Sequence, residues 1–397
     1  MISKSELEVK NRCILLVKSE RRWSNHLVRK LSLAYEVDLI EAVSRIRKYG
    51  YDGLIREIDS LAHRKNIQVL FCSIDFFYSL GFEFIEKISS PIRKVLITFD
   101  DITLHEFNEI TALSCDLVLT ADPISVLRYR EKGIAAEYFP LESSRLLYRD
   151  LQLPKTMDVL FFGNPSLADR SQYLRYLSQR GIQVAVVGGE REFLSNEDLV
   201  RKICEAKLVV NFSKTGVLEK DSIQNSVYKQ YFQLKGRIIE SGLCGTPCIS
   251  EYSPGGALLF TEQEVPTFRD QAECYQLITD LLANDFERTL IGQSLLRKIV
   301  LEYEDQPIMR RVGNALQRFE RTGMNTSRIQ DVRKIPYWYY RRMLRSRIQI
   351  LDRKYKDQLI EIAKIIVSDY LSIFIKLLLV GDVILWIAYR NIKTAKK

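Results

Sequence analysis

The sequence predicts an α/β chain with two Rossmann-like domains and a helical C-terminal extension. At 397 residues it is too long for one ordinary domain. Short apolar runs rich in β-branched residues alternate with longer amphipathic stretches, which is typical of βα units and parallel sheets. Beyond residue 323 the composition becomes basic, aromatic and apolar. We therefore predict domains at 1–140 and 158–322, a linker at 141–157 and a tail at 323–397.

Six apolar runs predict the strands of the first domain. They are Arg12–Lys18, Val37–Glu41, Ile67–Cys72, Lys94–Phe99, Leu117–Thr120 and Ala136–Phe139. Helical stretches lie between most of them, so we expect one doubly wound sheet that ends near Pro140. The following segment, Leu141–Lys155, has no clear period and contains Pro154, as a connection would.

A second series of strands predicts the other domain. They are Asp158–Phe162, Gln183–Val187, Lys207–Phe212 and Pro247–Ser250. Helices are expected at Arg170–Arg180 and Asn196–Ala206, a loop with a short strand at Leu258–Thr267, and successive helices over Gln271–Phe319. Two such domains face each other across a cleft, where ligands bind at the carboxyl ends of the strands.

The net charge of +9 belongs to the tail and not to the body. Residues 328–397 hold 16 Lys/Arg against 6 Asp/Glu, which leaves 43 against 44 for residues 1–327. A basic, aromatic tail favours an anionic membrane surface over nucleic acid as a partner. The apolar stretch Tyr370–Tyr389 is interrupted by Lys376 and Asp382, so we expect a helix lying in the membrane interface. The alternatives are that these twenty residues span the bilayer, or that they form a tail helix docked on the body or on the second subunit of a homodimer.

The remaining composition predicts a cytoplasmic protein, peripheral or monotopic at the inner face of the cell membrane. The charged N-terminal segment 1–12 has no apolar core of a secretory signal. Seven scattered cysteines lie mostly in apolar runs without CxxC pairs, which favours reduced, buried thiols and no zinc site.

The segment Leu234–Ser250 carries the strongest chemical signal. Lys235 and Arg237 flank a glycine at a predicted helix N-terminus, where backbone N–H groups and the helix dipole favour an anion. Glu240 lies one turn further on, where a carboxylate can accept hydrogen bonds from the vicinal hydroxyls of a ribose. The alternative is a solvated helix whose Arg and Glu are surface charges.

This segment resembles a known family. Gly236-Arg237-Ile238-Ile239-Glu240 followed by Cys244-Gly245-Thr246-Pro247 is similar to the nucleotide-binding motif of group 1 glycosyltransferases, and closest to the CgeB-like (spore maturation protein B) branch. Further segments follow in the family's order over about residues 90–320. The resemblance implies a GT-B fold, with the acceptor bound mainly by the first domain and a nucleoside-diphosphate sugar by the second.

The resemblance also implies roles on the donor side. Glu240 would hold the ribose, Arg237 and Lys235 the diphosphate, and the loop Gly163–Asn164 would approach the phosphates or the sugar. Gly163 follows a strand directly, so a phosphate can approach its backbone without a Cβ in the way. The matching segments contribute three more candidates, which are Arg170, Gly188 and Asn211. For Gly188 a simple turn explains the residue equally well.

The sequence departs from the family at one position. Many retaining members carry a glutamate eight positions before the ribose glutamate, and Phe232 stands there. This leaves retention or inversion open and removes one contact to the donor sugar.

Two aspartates, Asp100 and Asp101, follow the predicted strand Lys94–Phe99 at its carboxyl end. One of them is predicted to act as general base toward an acceptor hydroxyl, with His105 facing the same cleft. Paired aspartates also bind Mg²⁺ or Mn²⁺, and Asp101 could simply cap the following helix. The GT-B resemblance implies that cations and helix dipoles neutralise the diphosphate, without a metal or cofactor.

The predicted function is transfer of a sugar from a nucleoside-diphosphate sugar to an acceptor hydroxyl. The tail suggests a glycan or lipid-linked acceptor, as in surface-polysaccharide or glycolipid synthesis. A nucleotide-sugar epimerase of the same fold and a non-catalytic nucleotide-sugar-binding scaffold are the alternatives. The sequence contains neither a phosphate loop of the GxxxxGK[ST] type nor a GxSxG elbow, which argues against P-loop NTPases and serine hydrolases.

Overall fold

A computed structural model describes most of the chain. The described residues are 11–19, 22–73, 77–99, 101–189, 194–215, 231–322, 335–351, 355–366 and 373–395. Within them the chain forms two parallel sheets with helices packed against them, as predicted.

The first sheet has six parallel strands in the order β2-β1-β3-β4-β5-β6. The strands are β1 Asn11–Val17, β2 Tyr35–Glu41, β3 Val69–Ser73, β4 Arg93–Thr98, β5 Leu117–Thr120 and β6 Ala136–Tyr138. Its helices are α1 Arg22–Leu31, α2 Ala42–Lys65, α3 Phe77–Glu86, α4 Asp101–Ala112 and α5 Pro123–Glu131. The six predicted strands are confirmed. The central strands β3, β4 and β5 are buried by helices on both faces of the sheet, and their sequences are therefore largely apolar.

The second sheet has five parallel strands in the order β11-β10-β9-β7-β8. The strands are β7 Met157–Phe162, β8 Val184–Val187, β9 Ala206–Asn211, β10 Cys248–Glu251 and β11 Thr267–Phe268. The helices are α6 Arg170–Ser178, α7 Asn196–Glu205, α8 Arg237–Leu243, α9 Pro254–Leu259, α10 Gln271–Ala283, α11 Asp285–Glu302 and α12 Asp305–Thr322. In both sheets the carboxyl ends of the parallel strands lie along one edge.

Helix α12 returns from the second domain to the first. Its residues Ile308, Val312 and Leu316 are spaced four apart, share one face, and lie in the hydrophobic cluster that covers one face of the first sheet. The segment predicted as the end of the second domain therefore packs on the first.

The tail forms three helices, α13 Tyr337–Leu351, α14 Tyr355–Ile366 and α15 Ile373–Ala395. Helix α13 docks on α3 and α4 of the first domain. The Tyr339 side chain is fully buried, stacks on Phe107 at a centroid distance of 4.3 Å, and its hydroxyl accepts a 2.9 Å hydrogen bond from the Phe82 backbone N–H. Among the residues described, no helix combines the length and apolarity needed to cross a bilayer.

Candidate active site

The carboxyl edge of the second sheet gathers several of the predicted donor residues. Gly163 and Gly188 directly follow β7 and β8, and Asn211 is the last residue of β9. Arg237 is the first residue of α8, which connects the chain from β9 to β10. Parallel strands bring these positions together although up to 74 residues separate them in the sequence.

Gly163 forms the floor of this site. Its φ of +134° is a conformation that side-chain-bearing residues rarely adopt. A Cβ at Gly163 would lie 2.6 Å from Nη2 of Arg237, so the guanidinium occupies the space that a side chain would fill. Gly188 has a φ of +89° and packs on the Gly163 backbone, so both predicted glycines serve the same close approach.

Two guanidinium groups flank the end of β7. Arg237 Nη1 donates to Asn211 Oδ1 at 2.8 Å, and Arg170 Nη1 donates to the Asn164 carbonyl oxygen at 2.9 Å. Both groups lie over the ring of Phe161, at 5.2 Å for Arg237 and 5.9 Å for Arg170. The two predicted arginines therefore belong to one site.

The surroundings of both arginines disfavour their charged form. Arg170 is 2% exposed, and burial together with the charge of Arg237 lowers its pKa to about 9. Burial also lowers the pKa of Arg237. The Nε of Arg170 is buried and has no hydrogen-bond partner among the described residues. An anion between the two groups would supply both the missing acceptor and the compensating charge.

Lys235 and Glu240 lie on either side of Arg237 in the sequence. Lys235 Nζ donates to Gln233 Oε1 at 2.7 Å, so this cation is tied to the segment before α8. Glu240 is 8% exposed, and its Oε1 lies 3.5 Å from where a Cβ would stand on Gly236. The carboxylate therefore lies over a residue without a side chain, near enough to Arg237 for its charge to act on that guanidinium.

A polar cluster at the same edge was not predicted. Lys214 Nζ lies 2.5 Å from Asp169 Oδ2 and 3.3 Å from Glu251 Oε1, and the Lys214 ammonium lies over the Phe232 ring at 5.7 Å. Burial raises the pKa of Glu251, the last residue of β10. Its place at a strand end, the signal used for Asp100, would have identified it.

A cavity of about 280 Å³ opens beside this cluster, and Ile238, Glu251, Ser253 and Phe260 are among its lining residues. The second domain thus offers open volume next to Glu251 and to Ile238 in the first turn of α8. The opening lies at the carboxyl ends of β10 and β11, on the edge where a ligand is expected.

The carboxyl edge of the first sheet meets this site directly. Gln233 Nε2 donates to the Phe99 carbonyl oxygen at 3.0 Å, which joins the end of β4 to the segment before α8. Pro123 of α5 packs against Gly255 of α9, with a Cβ position on Gly255 only 3.3 Å from Pro123 Cδ. The preceding Asp122 caps α5 by accepting from Ser125 N at 2.8 Å, and burial raises its pKa. The two domains therefore face each other across their strand ends, as predicted.

The predicted catalytic pair Asp101 and His105 lies beneath this edge. The Asp101 side chain is fully buried and accepts hydrogen bonds from Asn108 at 2.5 Å, Tyr129 at 2.9 Å and Thr120 at 3.3 Å. His105 Nδ1 lies 3.3 Å from Asp101 Oδ2, and its ring is 2% exposed. The structure brings the two together, but in the interior of the first domain. Asp100 lies outside the described residues.

Comparison with known proteins gives a family match for part of the chain and a fold match for most of it. Residues 170–312, which include Asn211, Arg237 and Glu240, match a family model described as glycosyl transferase-like. No significant match to a curated protein was found.

Three solved structures illustrate the similarity in fold. HepE of Anabaena in complex with UDP-glucose aligns with a TM-score of 0.54 at 11% identity, over 77% of this chain and 99% of that chain. Sucrose-phosphate synthase from Thermosynechococcus elongatus aligns with a TM-score of 0.53 at 11% identity, over 79% of this chain and 100% of that one. A glycosyltransferase from Rickettsia africae aligns with a TM-score of 0.56 at 8% identity, over 79% and 100%. The chain thus has the GT-B fold of glycosyltransferases, and residues 170–312 match a glycosyl transferase-like family.

Proposed function

We propose that the protein is a glycosyltransferase that takes a sugar from a nucleoside-diphosphate sugar. The observation that carries this proposal is the pair Arg170 and Arg237, a buried and a half-buried cation at the loop Gly163–Asn164, with Arg170 Nε lacking a hydrogen-bond partner among the described residues. A site of this kind is built for an anion with several oxygen atoms, and a diphosphate is such an anion. The UDP-glucose bound by HepE, which shares the fold, supports the same class of ligand.

The side chains suggest a division of roles. The acceptor oxygen forms a bond to the anomeric carbon while the bond from that carbon to the diphosphate oxygen breaks. Arg237 and Arg170 stabilise the charge that develops on the departing diphosphate, and in this proposal no metal ion or cofactor is needed. Lys235 adds a third cation, and Glu240 accepts hydrogen bonds from the ribose hydroxyls. Closure of the two domains excludes water from the reaction.

On the acceptor side the proposal assigns proton acceptance to Asp100. Its neighbour in the chain, Phe99, contacts Gln233 of the second domain, which supports a position for this segment at the cleft. We propose that Asp101 and His105 act indirectly, by fixing the start of α4. Both side chains are buried, and they are within hydrogen-bond distance of each other.

The acceptor and the cellular setting follow from the tail. We propose a glycan or lipid-linked acceptor and a role in surface-polysaccharide or glycolipid synthesis, at the inner face of the cell membrane. The CgeB-like branch remains our assignment within the glycosyltransferases, on the pattern Gly236-Arg237 followed by Glu240.

Donor binding and turnover test the function. We would screen UDP-, GDP-, ADP- and dTDP-sugars for a rise in the thermal unfolding temperature, which reports binding without an acceptor. Glu240→Gln keeps the size of the side chain but weakens acceptance of the ribose hydroxyls, so we expect donor affinity to fall about tenfold or more.

The matched control is Glu273→Gln, an exposed carboxylate on α10 of the same domain. It should bind donor like the wild type. Normal donor binding and normal turnover by Glu240→Gln would refute the assigned site. Turnover in the presence of EDTA tests metal independence, and product analysis with donor alone would reveal an epimerase.

A further inference from the structure

The last helix of the tail, α15, is apolar on its outer side as well as on its inner side, where Leu379 and Val383 are fully buried. Leu377, Leu378, Ile384 and Leu385 are 68%, 45%, 55% and 72% exposed. At 100° per residue these positions lie in one sector of the helix. The acidic residue Asp382 faces inward instead, where it accepts hydrogen bonds from Arg345 of α13 at 2.6 and 2.9 Å.

Helix α14 also exposes large apolar side chains. Leu359 and Ile360 are 65% and 44% exposed. The polar residues Gln358 and Glu361 are 5% and 4% exposed, and Glu361 lies 3.5 Å from Arg347 of α13. In water, a helix docked on a protein buries its leucines and exposes its carboxylates. Two neighbouring helices that each expose large apolar side chains, while a carboxylate of each is held in an ion pair with α13, indicate a less polar solvent on their outer side.

We infer that the outer sides of α14 and α15 form a pad that inserts into the surface of an anionic lipid bilayer without crossing it. The pad is the exposed set Leu359, Ile360, Leu377, Leu378, Ile384 and Leu385. This inference rests on the membrane partner in the proposed function and specifies the surface that makes the contact. It also sets an orientation, because α13 attaches the pad to α3 and α4 of the first domain, the side assigned to the acceptor.

Charge favours a lipid bilayer over another protein as the occupant. The segment 328–397 carries 16 Lys/Arg against 6 Asp/Glu. Asp382 and Glu361 are turned into ion pairs with α13, so these two carboxylates do not face the partner. Trp338 at the start of α13 is 38% exposed, and tryptophan is enriched at the membrane interface. An exposed apolar set on a segment with this excess of Lys and Arg suits anionic head groups above acyl chains.

Vesicle co-sedimentation of the full chain tests the inference. The probes are vesicles of phosphatidylcholine and phosphatidylglycerol in equal parts, and vesicles of phosphatidylcholine alone. We expect stronger binding to the anionic vesicles. The double variant Leu377→Glu/Leu385→Glu should bind them more weakly by roughly two orders of magnitude, since it removes two large apolar side chains from the acyl region.

The matched control is Leu301→Glu, on α11 of the second domain, with the same exposure of 68% as Leu377. It should bind vesicles like the wild type. Because the substituted leucines of the pad are exposed, both variants should keep the wild-type unfolding temperature and donor binding, so the result is separate from the test of catalysis.

Vesicle binding that the double variant retains at wild-type strength would overturn the inference. It would also be overturned if the wild type ignored vesicles and formed a dimer that the double variant dissociates, because the occupant would then be a second copy of the chain.

Discussion

At the scale of single residues, Gly163 determines how closely a ligand can approach the two arginines. Gly163→Ala introduces a methyl group that would lie 2.6 Å from Arg237 Nη2, at a φ of +134°. We expect a loss of about 1–3 kcal/mol in the free energy of unfolding from backbone strain, and a displaced guanidinium. Donor affinity should therefore fall, as measured by titration with the sugar nucleotide that gives the largest thermal shift.

Gly181→Ala separates the effect of backbone strain from the effect of the displaced guanidinium. Gly181 also has a positive φ, +84°, but no atom lies within 4 Å of its Cβ position. This variant should lose stability and keep donor affinity. Equal donor affinity in both variants would show that the contact between Gly163 and Arg237 does not matter for binding.

At the scale of secondary-structure elements, the carboxylate of Asp382 contributes to the attachment of α15 to α13. Burial alone would raise the pKa of Asp382, but hydrogen bonds from Arg341 and Arg345 lower it overall. A carboxylate with a lowered pKa in the folded state stabilises above its unfolded pKa of about 3.9, and this contribution is lost as the pH falls through the folded value. We expect α15 to be held less firmly on α13 below about pH 4 while the sheets remain folded.

Hydrogen exchange at the amides of α15, corrected for the intrinsic rate at each pH, measures this loosening. Asp382→Asn should lower protection already at neutral pH, by about 1 kcal/mol because the pair is partly exposed, and should remove the acid dependence. Asp280→Asn on α10 is the control, since its carboxylate accepts from Gln276 in another part of the molecule. Protection of α15 that is the same in acid and at neutral pH would refute the role of Asp382.

The strands were predictable because the buried residues of a strand are consecutive in the sequence and form a recognisable apolar run. Each run such as Leu117–Thr120 is buried on both faces and therefore apolar throughout. That Arg237 and Glu240 lie close together was predictable because they lie within one helical turn of each other. Glu251 could have been predicted as a candidate from its place at the end of β10, but its contact with Lys214, which also contacts Asp169, could not, because these residues meet only through the order of the strands.

The tail shows a second limit of sequence reasoning. Lys376 and Asp382 indicated an interfacial helix, but the direction that Asp382 faces depends on Arg345, which is 37 residues away. Likewise, the position of Asp101 at a strand end fits both a ligand group and a buried one. Hydrogen bonds from the side chains of Asn108 and Tyr129 hold the Asp101 carboxylate in the interior.

At the scale of the whole molecule, Lys30 of α1 holds both connections between the domains. Its Nζ donates to the Pro140 carbonyl oxygen and, at 2.8 Å, to Ser143 Oγ in the linker. It also lies 3.1 Å from Asp305 Oδ1, where α12 begins its return to the first domain. Lys30 is 1% exposed, and burial lowers its pKa. One buried ammonium thus ties both connections to α1 of the first domain.

Lys30→Met fills similar space but leaves Asp305 buried without this cation. Breaking one side of a buried pair costs about 3–5 kcal/mol, so we expect the first domain to unfold at a clearly lower temperature, as a separate transition in calorimetry. The double variant Lys30→Met/Asp305→Leu removes both charges and should recover most of the loss. Lys132→Met, which breaks an exposed pair with Glu109, should cost at most about 1 kcal/mol. If Lys30→Met unfolded like Lys132→Met, the two connections would be held by packing of α12 on the first sheet and not by this ion pair.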